Sequence, residues 1–394
     1  MKDKTKQRIS ELISEGIRDG ITAGISILVR KDDKEEYFDA QGYADREHNR
    51  AVSRDTIFKL YSMSKPITAT AAMILMEQGK LDLAQEVSEF LPGFSNLTVE
   101  KDGKTEQARM PMTVQDLLNM TSGLTYGDEN TAGGREILAY LEECVGKMYT
   151  DQAVSTQEFA NHIGTIPLAF EPSASWNYGL SADVMGAVIE VASGMRFGEF
   201  LEENLFQPLG MRDTGFWVPE EKQNRLAVAY ESIKDGKVQP YTGDHLVIQH
   251  KMQKRPAFES GGAGLVSTID DYSRFAQMLL NGGNLDGIRI LSPETVRFLT
   301  SGGLTPSQQE AMWKWPGLSG HTYSHFMRIL TKPEMACMLG RKGEYGWDGW
   351  LGCYFANFPT EKMIILIMMQ KKDSGTIPLT RKIRNVLLAE MEDL

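Results

Sequence analysis

The sequence predicts a mixed α/β fold of the α+β type, with one antiparallel sheet flanked by helices and a helical domain inserted within the chain. Two pairs of short apolar strands carry this prediction, each joined by a polar turn: residues 24–30 with 36–40, and residues 352–358 with 363–370. The pairs lie near opposite ends of the chain. Between them, apolar residues recur mostly at helical spacing, so the simplest topology joins both pairs in one sheet.

A helix is predicted at each end of the chain. Near the N-terminus, apolar residues recur on one face of a helix that ends near Gly20, namely Ile9, Leu12, Ile13 and Ile17. The last helix is predicted from about residue 378 to residue 391. Because an amphipathic helix buries its apolar face against another layer, we expect both helices to cover the sheet.

The middle of the chain is predicted to form a second domain. Residues 1–80 and 266–394 are assigned to the α/β domain and residues 81–265 to a mainly helical domain, with the active site in the cleft between them. Capping sequences mark helix starts at residues 113–116 and 268–271, and residues 234–237 predict a hairpin turn. Residues 301–320 are predicted to be a long loop, and we expect it to border the site.

Composition excludes several classes of function. With 42 Lys and Arg against 53 Asp and Glu, the net charge is −11, which argues against nucleic acid or an anionic membrane as a partner. Three widely spaced cysteines without a CxxC motif indicate neither a disulfide framework nor a zinc site. The N-terminus lacks the apolar core of a secretory signal, and no apolar run is long enough to span a bilayer. We therefore expect a cytoplasmic protein.

Residues 58–66, FKLYSMSKP, place a hydroxyl and an amine three positions apart. Residues i and i+3 share a helix face, so the Lys65 amine can reach the Ser62 hydroxyl. A serine is a weak nucleophile until a neighbouring base takes its proton, and a partly desolvated lysine can be that base. The alternative is a helix-capping serine beside a lysine that extends to solvent. The pair is a candidate nucleophile and base.

The segment after this pair predicts a helix that is buried on every side. Residues 67–76 are apolar or small nearly all round the helix. Pro66 falls in the first turn, where its missing N–H costs little, and Gly79 suits the C-terminal cap. Ser62 is therefore expected at the positive end of a core helix, where backbone N–H groups favour negative charge.

Together with four downstream segments, this motif resembles the serine β-lactamase and penicillin-recognising superfamily, in particular class C β-lactamases and family VIII carboxylesterases. Ser62-Met-Ser-Lys65 matches the nucleophile motif, and Tyr178, within residues 172–186, matches the catalytic tyrosine. The other matching segments are Thr-Ser-Gly-Leu at 121–124, Ser-Gly-Gly-Ala-Gly-Leu at 260–265 and Gly-Trp-Asp-Gly at 346–349. The match runs in order from about residue 10 to the C-terminus.

The resemblance implies both a fold and a chemistry. The fold is the β-lactamase/transpeptidase-like one, with an α/β domain from both chain ends and an inserted helical domain. The reaction is attack of Ser62 on an ester or amide carbonyl, with Lys65 and Tyr178 sharing the general-base role. The Lys65 cation would favour the phenolate of Tyr178, since the ordinary pKa of a tyrosine is about 10. By the same analogy, the backbone N–H groups of Ser62 and Trp350 form the oxyanion hole.

Three positions depart from the family pattern. The asparagine two residues after the tyrosine is Leu180, and the lysine and threonine of Lys-Thr-Gly are Trp347 and Asp348. Asp348 is expected to repel a substrate carboxylate, so an uncharged acyl or aryl group is predicted. The predicted substrate-binding residues, mostly apolar and aromatic, are Met63, Met120, Tyr126, Trp176, Leu180, Trp347, Asp348 and Gly349, with Trp350 beside them. A place in the core is the alternative for each apolar residue, and a structural hydrogen bond for Asp348.

These departures favour the esterase side of the superfamily. The sequence therefore predicts a serine hydrolase that cleaves small-molecule carboxylic esters, without a cofactor, through an acyl-enzyme on Ser62. Two alternatives stay open: a β-lactamase or D-peptide and amide hydrolase, and a non-catalytic penicillin-binding-like module. Intact Ser62, Lys65 and Tyr178 argue against the module, because a binding protein does not need all three.

Two other kinds of site are not predicted. No GxSxG sequence occurs, so an α/β-hydrolase triad is not indicated. His321 and His325 are four residues apart, which on a helix would suggest a metal site. The following residues, 326–330, predict a strand instead, so this spacing does not bring both rings to one metal ion.

Overall fold

The computed structural model describes residues 1–233 and 237–390. The helices within these ranges are α1 Asp3–Arg18, α2 Lys65–Glu77, α3 Val114–Leu118, α4 Ala132–Lys147, α5 Thr156–Ile163, α6 Ser181–Ser193, α7 Phe197–Leu201, α8 Gln207–Leu209, α9 Ile269–Leu280, α10 Pro293–Leu299, α11 Pro306–Trp313 and α12 Pro378–Ala389. The strands are β1 Gly24–Lys31, β2 Lys34–Asp45, β3 Arg50–Ala51, β4 Phe58–Lys59, β5 Thr98–Lys101, β6 Lys104–Gln107, β7 Tyr230–Ser232, β8 Val238–Pro240, β9 Val266–Ser267, β10 Asn284–Leu285, β11 Ile288–Arg289, β12 His321–Ser324, β13 Met327–Leu330, β14 Tyr345–Asp348, β15 Tyr354–Phe358 and β16 Met363–Met369.

One antiparallel sheet of eight strands is the centre of the fold, in the order β12-β13-β14-β15-β16-β1-β2-β3. The two chain ends meet where β1 pairs with β16, in a register that places Ile27 opposite Ile367. This confirms the predicted mixed α/β fold with an antiparallel sheet. Strand β2 is longer than the predicted strand 36–40, because it continues to Asp45 and pairs through an irregular register with β3.

The terminal helices cover one face of the sheet, as predicted. Ile9 and Ile13 of α1 pack in one buried cluster with Ile383 of α12 and with apolar residues of β1, β15 and β16. Helix α12 ends at Ala389. The last residue of the predicted helix, Met391, lies outside the described residues.

Helix α9 covers the opposite face of the sheet and connects it to the turn that carries Ser62. Phe275 of α9 contacts Phe355 of β15, with ring centroids 6.4 Å apart. On the same helix, the Tyr272 hydroxyl donates a hydrogen bond of 2.9 Å to the Met63 carbonyl. The turn is thereby tied to the rigid sheet through one buried helix.

Helix α2 is the predicted core helix. Its residues from Lys65 to Leu75 are all buried, and Pro66 lies in its first turn. Residues Tyr61–Ser64 form a separate 3₁₀ turn before it. Ser62 therefore lies one turn ahead of the α-helix rather than within it.

Two predicted helix starts are confirmed by hydrogen bonds. The Thr113 hydroxyl accepts from the Asp116 N–H at 3.2 Å, and the Thr268 hydroxyl accepts from the Asp271 N–H at 3.2 Å. Of the predicted hairpin turn at 234–237, only the last residue is among those described. Strands β7 and β8 pair in antiparallel fashion on either side of it.

The sheet takes its strands from residues 24–51 and 321–369, whereas residues 81–265 contribute α3 to α8. The assignment of these segments to two domains stays a prediction. The predicted loop at 301–320 contains the short helix α11, which begins at Pro306. In the two described ranges, every helix is too short or too polar to cross a lipid bilayer.

We expect Arg384→Met to destabilise the fold strongly. Arg384 of α12 is fully buried and donates hydrogen bonds to both carboxylate oxygens of Glu344, at 2.8 and 3.0 Å. Its loss leaves a buried carboxylate unpaired, so the free energy of unfolding in urea should fall by about 3–5 kcal/mol. The exposed neighbour Lys382 is the control, because Lys382→Met should change it by less than about 0.5 kcal/mol. Equal losses in both variants would contradict the prediction.

Candidate active site

Ser62 lies on a tight turn between β4 and α2. The preceding residue, Tyr61, has a φ of +46°, a left-handed conformation that is costly for a non-glycine residue and common at functional sites. At Gly349, just after β14, a Cβ would lie 2.2 Å from the Leu60 carbonyl oxygen. Glycine therefore allows the end of β14 to approach the turn. As a result, Ser62 and Trp350 border the same cavity.

Lys65 has three hydrogen-bond acceptors. Its Nζ lies 3.2 Å from Ser62 Oγ and 3.0 Å from the Tyr126 hydroxyl oxygen. The third acceptor is the Gly262 carbonyl, at 2.8 Å. Burial lowers the pKa of Lys65 to about 7, although two nearby carboxylates partly oppose this. At neutral pH, Lys65 is therefore uncharged in a large fraction of the molecules. The uncharged amine can accept a proton from Ser62.

A buried carboxylate, Asp183, holds the backbone that faces Lys65. Its Oδ1 accepts hydrogen bonds from the Gly262 N–H at 3.2 Å and from the Ser260 hydroxyl. A Cβ at Gly262 would lie 2.6 Å from Asp183 Oδ2, so a larger residue does not fit there. Burial raises the pKa of Asp183, while the positive charge of Lys65 opposes that rise. Asp183 is thus a positioning residue that sequence reasoning missed.

Tyr178 is a neutral phenol in this environment. Its hydroxyl accepts a hydrogen bond from the Trp347 indole N–H at 2.9 Å. Its ring centroid lies 4.7 Å from Lys65 Nζ, which is a cation–π distance. Burial raises the pKa of Tyr178, and the hydroxyl of Ser62 and the indole of Trp347 oppose this only in part. Burial therefore favours the uncharged amine of Lys65 and disfavours a phenolate at Tyr178.

Ser62, Tyr126 and Tyr178 line a cavity of about 980 Å³. One wall is apolar and comes largely from α4 and from the segment after α11: Leu138, Leu141, Val145, Trp315, Pro316 and Leu318. This confirms that the predicted loop at 301–320 borders the site. A second cavity of about 620 Å³ is lined by other residues, Trp217 among them, and includes none of the motif residues.

The structure brings together most of the predicted site residues. Those that line the cavity are Ser62, Tyr126, Tyr178, Trp347, Asp348, Gly349 and Trp350. Lys65 joins them through its hydrogen bond to Ser62. Four predicted substrate-binding residues are not in the lining: Met63, Met120, Trp176 and Leu180.

These four residues belong to the core. Met63, Met120 and Leu180 are buried in the main hydrophobic cluster. Neighbours on a tight turn point in different directions, so Met63 faces the core although Ser62 faces the cavity. Trp176 is buried and packs against Tyr178 with ring centroids 6.3 Å apart.

Asp348 borders the cavity, but its charge has partners that the sequence did not reveal. Its Oδ2 accepts a hydrogen bond from the Thr376 hydroxyl and lies 3.7 Å from Arg328 Nη1. These contacts fit the alternative of a structural hydrogen bond, and the repulsion of a substrate carboxylate stays a prediction. The contact with Arg328 arises because β13 places this arginine beside β14, opposite Gly346, the second residue before Asp348.

Other cavity residues were missed because nothing in their local sequence marks them. Arg328 lies within a short strand, and Arg381 lies in the first turn of α12. His245 stacks on Trp350, with ring centroids 4.1 Å apart. Burial lowers the pKa of His245 to about 4, so its imidazole is neutral at neutral pH.

The two histidines considered for a metal lie in and just after a strand. His321 begins β12, and His325 lies in the turn after that strand, which agrees with the predicted absence of helical spacing. Burial lowers the pKa of each to about 4. No cluster of three or more His, Cys, Asp or Glu suited to a metal ion occurs within residues 1–233 and 237–390.

Comparison with known proteins identifies the family. The β-lactamase family model matches residues 9–389. The chain therefore belongs to the β-lactamase family, a family of serine hydrolases that includes esterases. Among curated relatives, protein Rv1367c of Mycobacterium tuberculosis is 31% identical over 338 residues, which cover 84% of this chain and 81% of that protein.

Two further relatives are named as hydrolases. Esterase EstB of Burkholderia gladioli is 28% identical over 388 residues, covering 93% of this chain and 91% of EstB. Among solved structures, EstCE1, described as a hydrolase with promiscuous acyltransferase activity, superposes with a TM-score of 0.80 at 25% identity. The superposition covers 98% of this chain and 99% of EstCE1.

If the uncharged form of Lys65 is the base, we expect the rate at which a fluorophosphonate modifies Ser62 to rise with pH, with a midpoint at about pH 7, and then to level off. Asp183→Asn removes a negative charge that raises the pKa of Lys65, so the midpoint should move to lower pH. Mass spectrometry of the adduct across a pH series measures both profiles.

The control is Asp286→Asn, which removes an exposed carboxylate outside the cavity and should leave the midpoint unchanged. An unchanged or raised midpoint in Asp183→Asn would contradict the assignment of Lys65 as the titrating base. An adduct that persists in Ser62→Ala would place the nucleophile elsewhere.

Proposed function

We propose that this protein is a serine esterase that hydrolyses carboxylic esters through an acyl-enzyme on Ser62. One observation carries the proposal: a fully buried lysine, with its pKa lowered to about 7, is hydrogen-bonded to a serine at the wall of a large, partly aromatic cavity. The similarity to EstB and EstCE1 supports an ester substrate. No residue role in this proposal requires a cofactor.

In the acylation step, uncharged Lys65 takes the proton of Ser62 while Oγ attacks the ester carbonyl carbon. The carbonyl oxygen gains negative charge, and the N–H groups of Ser62 and Trp350 would stabilise it. Both residues line the cavity, and the approach of Gly349 to Leu60 holds them close to each other. Because these donors are fixed before the substrate binds, little reorganisation is required in the transition state.

The leaving alkoxide needs a proton, and Tyr178 is suited to give it. Its hydroxyl is protonated at neutral pH because burial raises its pKa. Tyr178 donates its proton as the C–O bond breaks, and the Lys65 ammonium then restores that proton. The hydrogen bond from Trp347 favours the transient phenolate oxygen, which lowers the cost of this transfer.

Deacylation reverses these roles. A water molecule attacks the acyl carbonyl, and its proton passes to the amine of Lys65 through Tyr178. Ser62 Oγ leaves and regains a proton from Lys65, with which it is hydrogen-bonded. Tyr126 accepts a hydrogen bond from the same Lys65 nitrogen and so orients it. Because burial raises the pKa of Tyr126 well above its ordinary value, we assign this residue a positioning role.

The alternatives from the sequence differ in substrate or in activity. A β-lactamase or amide hydrolase would use the same serine and lysine, but Leu180, Trp347 and Asp348 stand where the lactamase pattern has polar groups. A non-catalytic module would not need a lysine buried at an energetic cost beside a serine. The ester function is therefore the one that these residues support best.

We expect the protein to hydrolyse 4-nitrophenyl butyrate and to turn over the chromogenic cephalosporin nitrocefin at least about 10²-fold more slowly in kcat/KM, as expected where polar substrate contacts are missing. Ser62→Ala should abolish both activities. Parallel absorbance assays with the two substrates measure this ratio. Faster cephalosporin turnover would favour the lactamase alternative, and no turnover of either substrate would favour the non-catalytic module.

We expect Lys65→Ala and Tyr178→Phe each to lower kcat for the ester by a factor of about 10² or more, as general-base or general-acid loss does. The double variant should lose little more than either single one, because the two groups act as a unit. The controls are Lys80→Ala and Tyr43→Phe, which change exposed residues outside the cavity. Near-normal activity of Tyr178→Phe would remove Tyr178 from the mechanism.

A further inference from the structure

One wall of the cavity presents apolar side chains that the fold leaves partly exposed. On α4, Leu138 and Val145 line the cavity and are only half-buried. Another face of the same helix, which includes Ile137 and Cys144, packs in the main hydrophobic cluster. Helix α4 is therefore apolar on two sides, although a helix that borders water normally has polar residues on that side. Apolar surface left open in a concave site is typical of a place where a ligand binds.

Trp315 extends this wall with a large aromatic surface. The residue lines the cavity and is 44% exposed. Its ring packs edge-on against Tyr178, with centroids 5.3 Å apart, and against Trp176, with centroids 6.2 Å apart. These contacts fix the indole in position while much of its surface stays open to the cavity. A fixed aromatic ring of this kind contributes strongly to the binding of an apolar group.

The position of Tyr178 determines which half of an ester meets the wall. In the proposed mechanism Tyr178 gives its proton to the leaving alkoxide, so the alcohol half lies beside Tyr178 at that step. Trp315 contacts Tyr178 directly. Trp350, which is assigned to the carbonyl oxygen, has polar neighbours instead: its indole donates to Asp373 Oδ1 at 2.7 Å and stacks on His245. The alcohol half is therefore the half next to the apolar wall.

The cavity is larger than a short ester requires. Its volume is about 980 Å³. Cavities of about 300–1,000 Å³ in proteins hold ligands of drug size and bury most of their surface. An ethyl ester would leave most of the apolar wall in contact with water. A longer alkyl group would cover it, and each methylene removed from water adds to the affinity.

We propose that this apolar wall binds the alcohol half of the substrate, which is then an ester of a large apolar alcohol with about eight or more carbon atoms. The wall consists of Leu138, Leu141, Val145, Trp315, Pro316 and Leu318. The covalent steps are those of the proposed hydrolysis: Ser62 Oγ bonds to the acyl carbon, the C–O bond to the alcohol breaks, and the alcohol leaves with the proton of Tyr178. Water then releases the acid from Ser62. This inference rests on the proposed esterase function and adds the substrate class.

The kinetic test compares ethyl acetate, octyl acetate and ethyl octanoate, with acid release measured at constant pH. Octyl acetate and ethyl octanoate are isomers, so they differ only in which half carries the long chain. For octyl acetate, kcat/KM should exceed that for ethyl acetate about fiftyfold or more, as burial of three of the six added methylene groups would give. It should exceed that for ethyl octanoate about tenfold or more. Equal values for the two acetates, or a preference for ethyl octanoate, would overturn the proposal.

Variants locate the preference. Leu138→Asn, which keeps the size but adds a polar group, should lower kcat/KM for octyl acetate about tenfold more than for ethyl acetate. Val145→Thr should cause a selective loss of about threefold. The control Val191→Thr makes the same change at an exposed position of α6 outside the cavity, and it should alter neither value. Equal losses for both esters in Leu138→Asn would mean a structural role and overturn the proposal. If Leu138→Asn does not fold, Val145→Thr must still show the selective loss.

A binding measurement separates this proposal from the esterase proposal. In Ser62→Ala, calorimetry with 1-octanol and 1-butanol needs no turnover. We expect 1-octanol to bind about tenfold more tightly or better, and Ser62→Ala/Leu138→Asn to lose most of that difference. Selective binding of 1-octanol without hydrolysis of any ester by the unmodified protein would contradict the esterase function alone. Ester hydrolysis with equal binding of both alcohols would contradict the apolar subsite alone.

Discussion

The burial of the Lys65 amine beside Ser62 is the interaction on which the rest of the site depends. Removal of water from a lysine disfavours its ammonium form, and here it lowers the pKa to about 7. The amine remains buried because three oxygens surround it, from Ser62, Tyr126 and the Gly262 carbonyl. The same enclosure keeps Tyr178 protonated, since burial raises the pKa of a phenol. One physical effect therefore favours an uncharged amine and a neutral phenol side by side, as the proposed mechanism requires.

The fold maintains this enclosure through backbone contacts that tolerate little change. The end of β14 reaches the turn of Ser62 because Gly349 has no side chain to strike the Leu60 carbonyl. On the other side, Gly262 lies against Asp183 in a space that a Cβ would fill. Helix α2 is buried on all sides, and α9 ties its leading turn to the sheet. The site is thus held by rigid elements, which limits the water that reaches Lys65.

Charged residues farther along the cavity lie close to the indole of Trp347. Asp348 was expected to repel anions, but it lies 3.7 Å from Arg328, whose guanidinium carbon is 5.6 Å from the ring centroid of Trp347 and 5.1 Å from that of Tyr354. Trp347 contacts both Tyr178 and this arginine. A cavity with one apolar wall and a few polar groups is typical of a site for a small molecule.

The sequence by itself predicted the sheet and the core helix from local periodicity and the pair Ser62 and Lys65 from a short motif, whereas Tyr178 was predicted from the resemblance to a known family. It also placed Tyr126 and Trp347 at the site. Tertiary structure alone decided which of the predicted substrate-binding residues line the cavity and which are buried in the core. Those buried in the core are Met63, Met120, Trp176 and Leu180. The Arg328–Asp348 contact joins residues twenty positions apart through the pairing of β13 with β14. Such contacts depend on strand register, and a register is set by the packing of the whole sheet rather than by any local pattern.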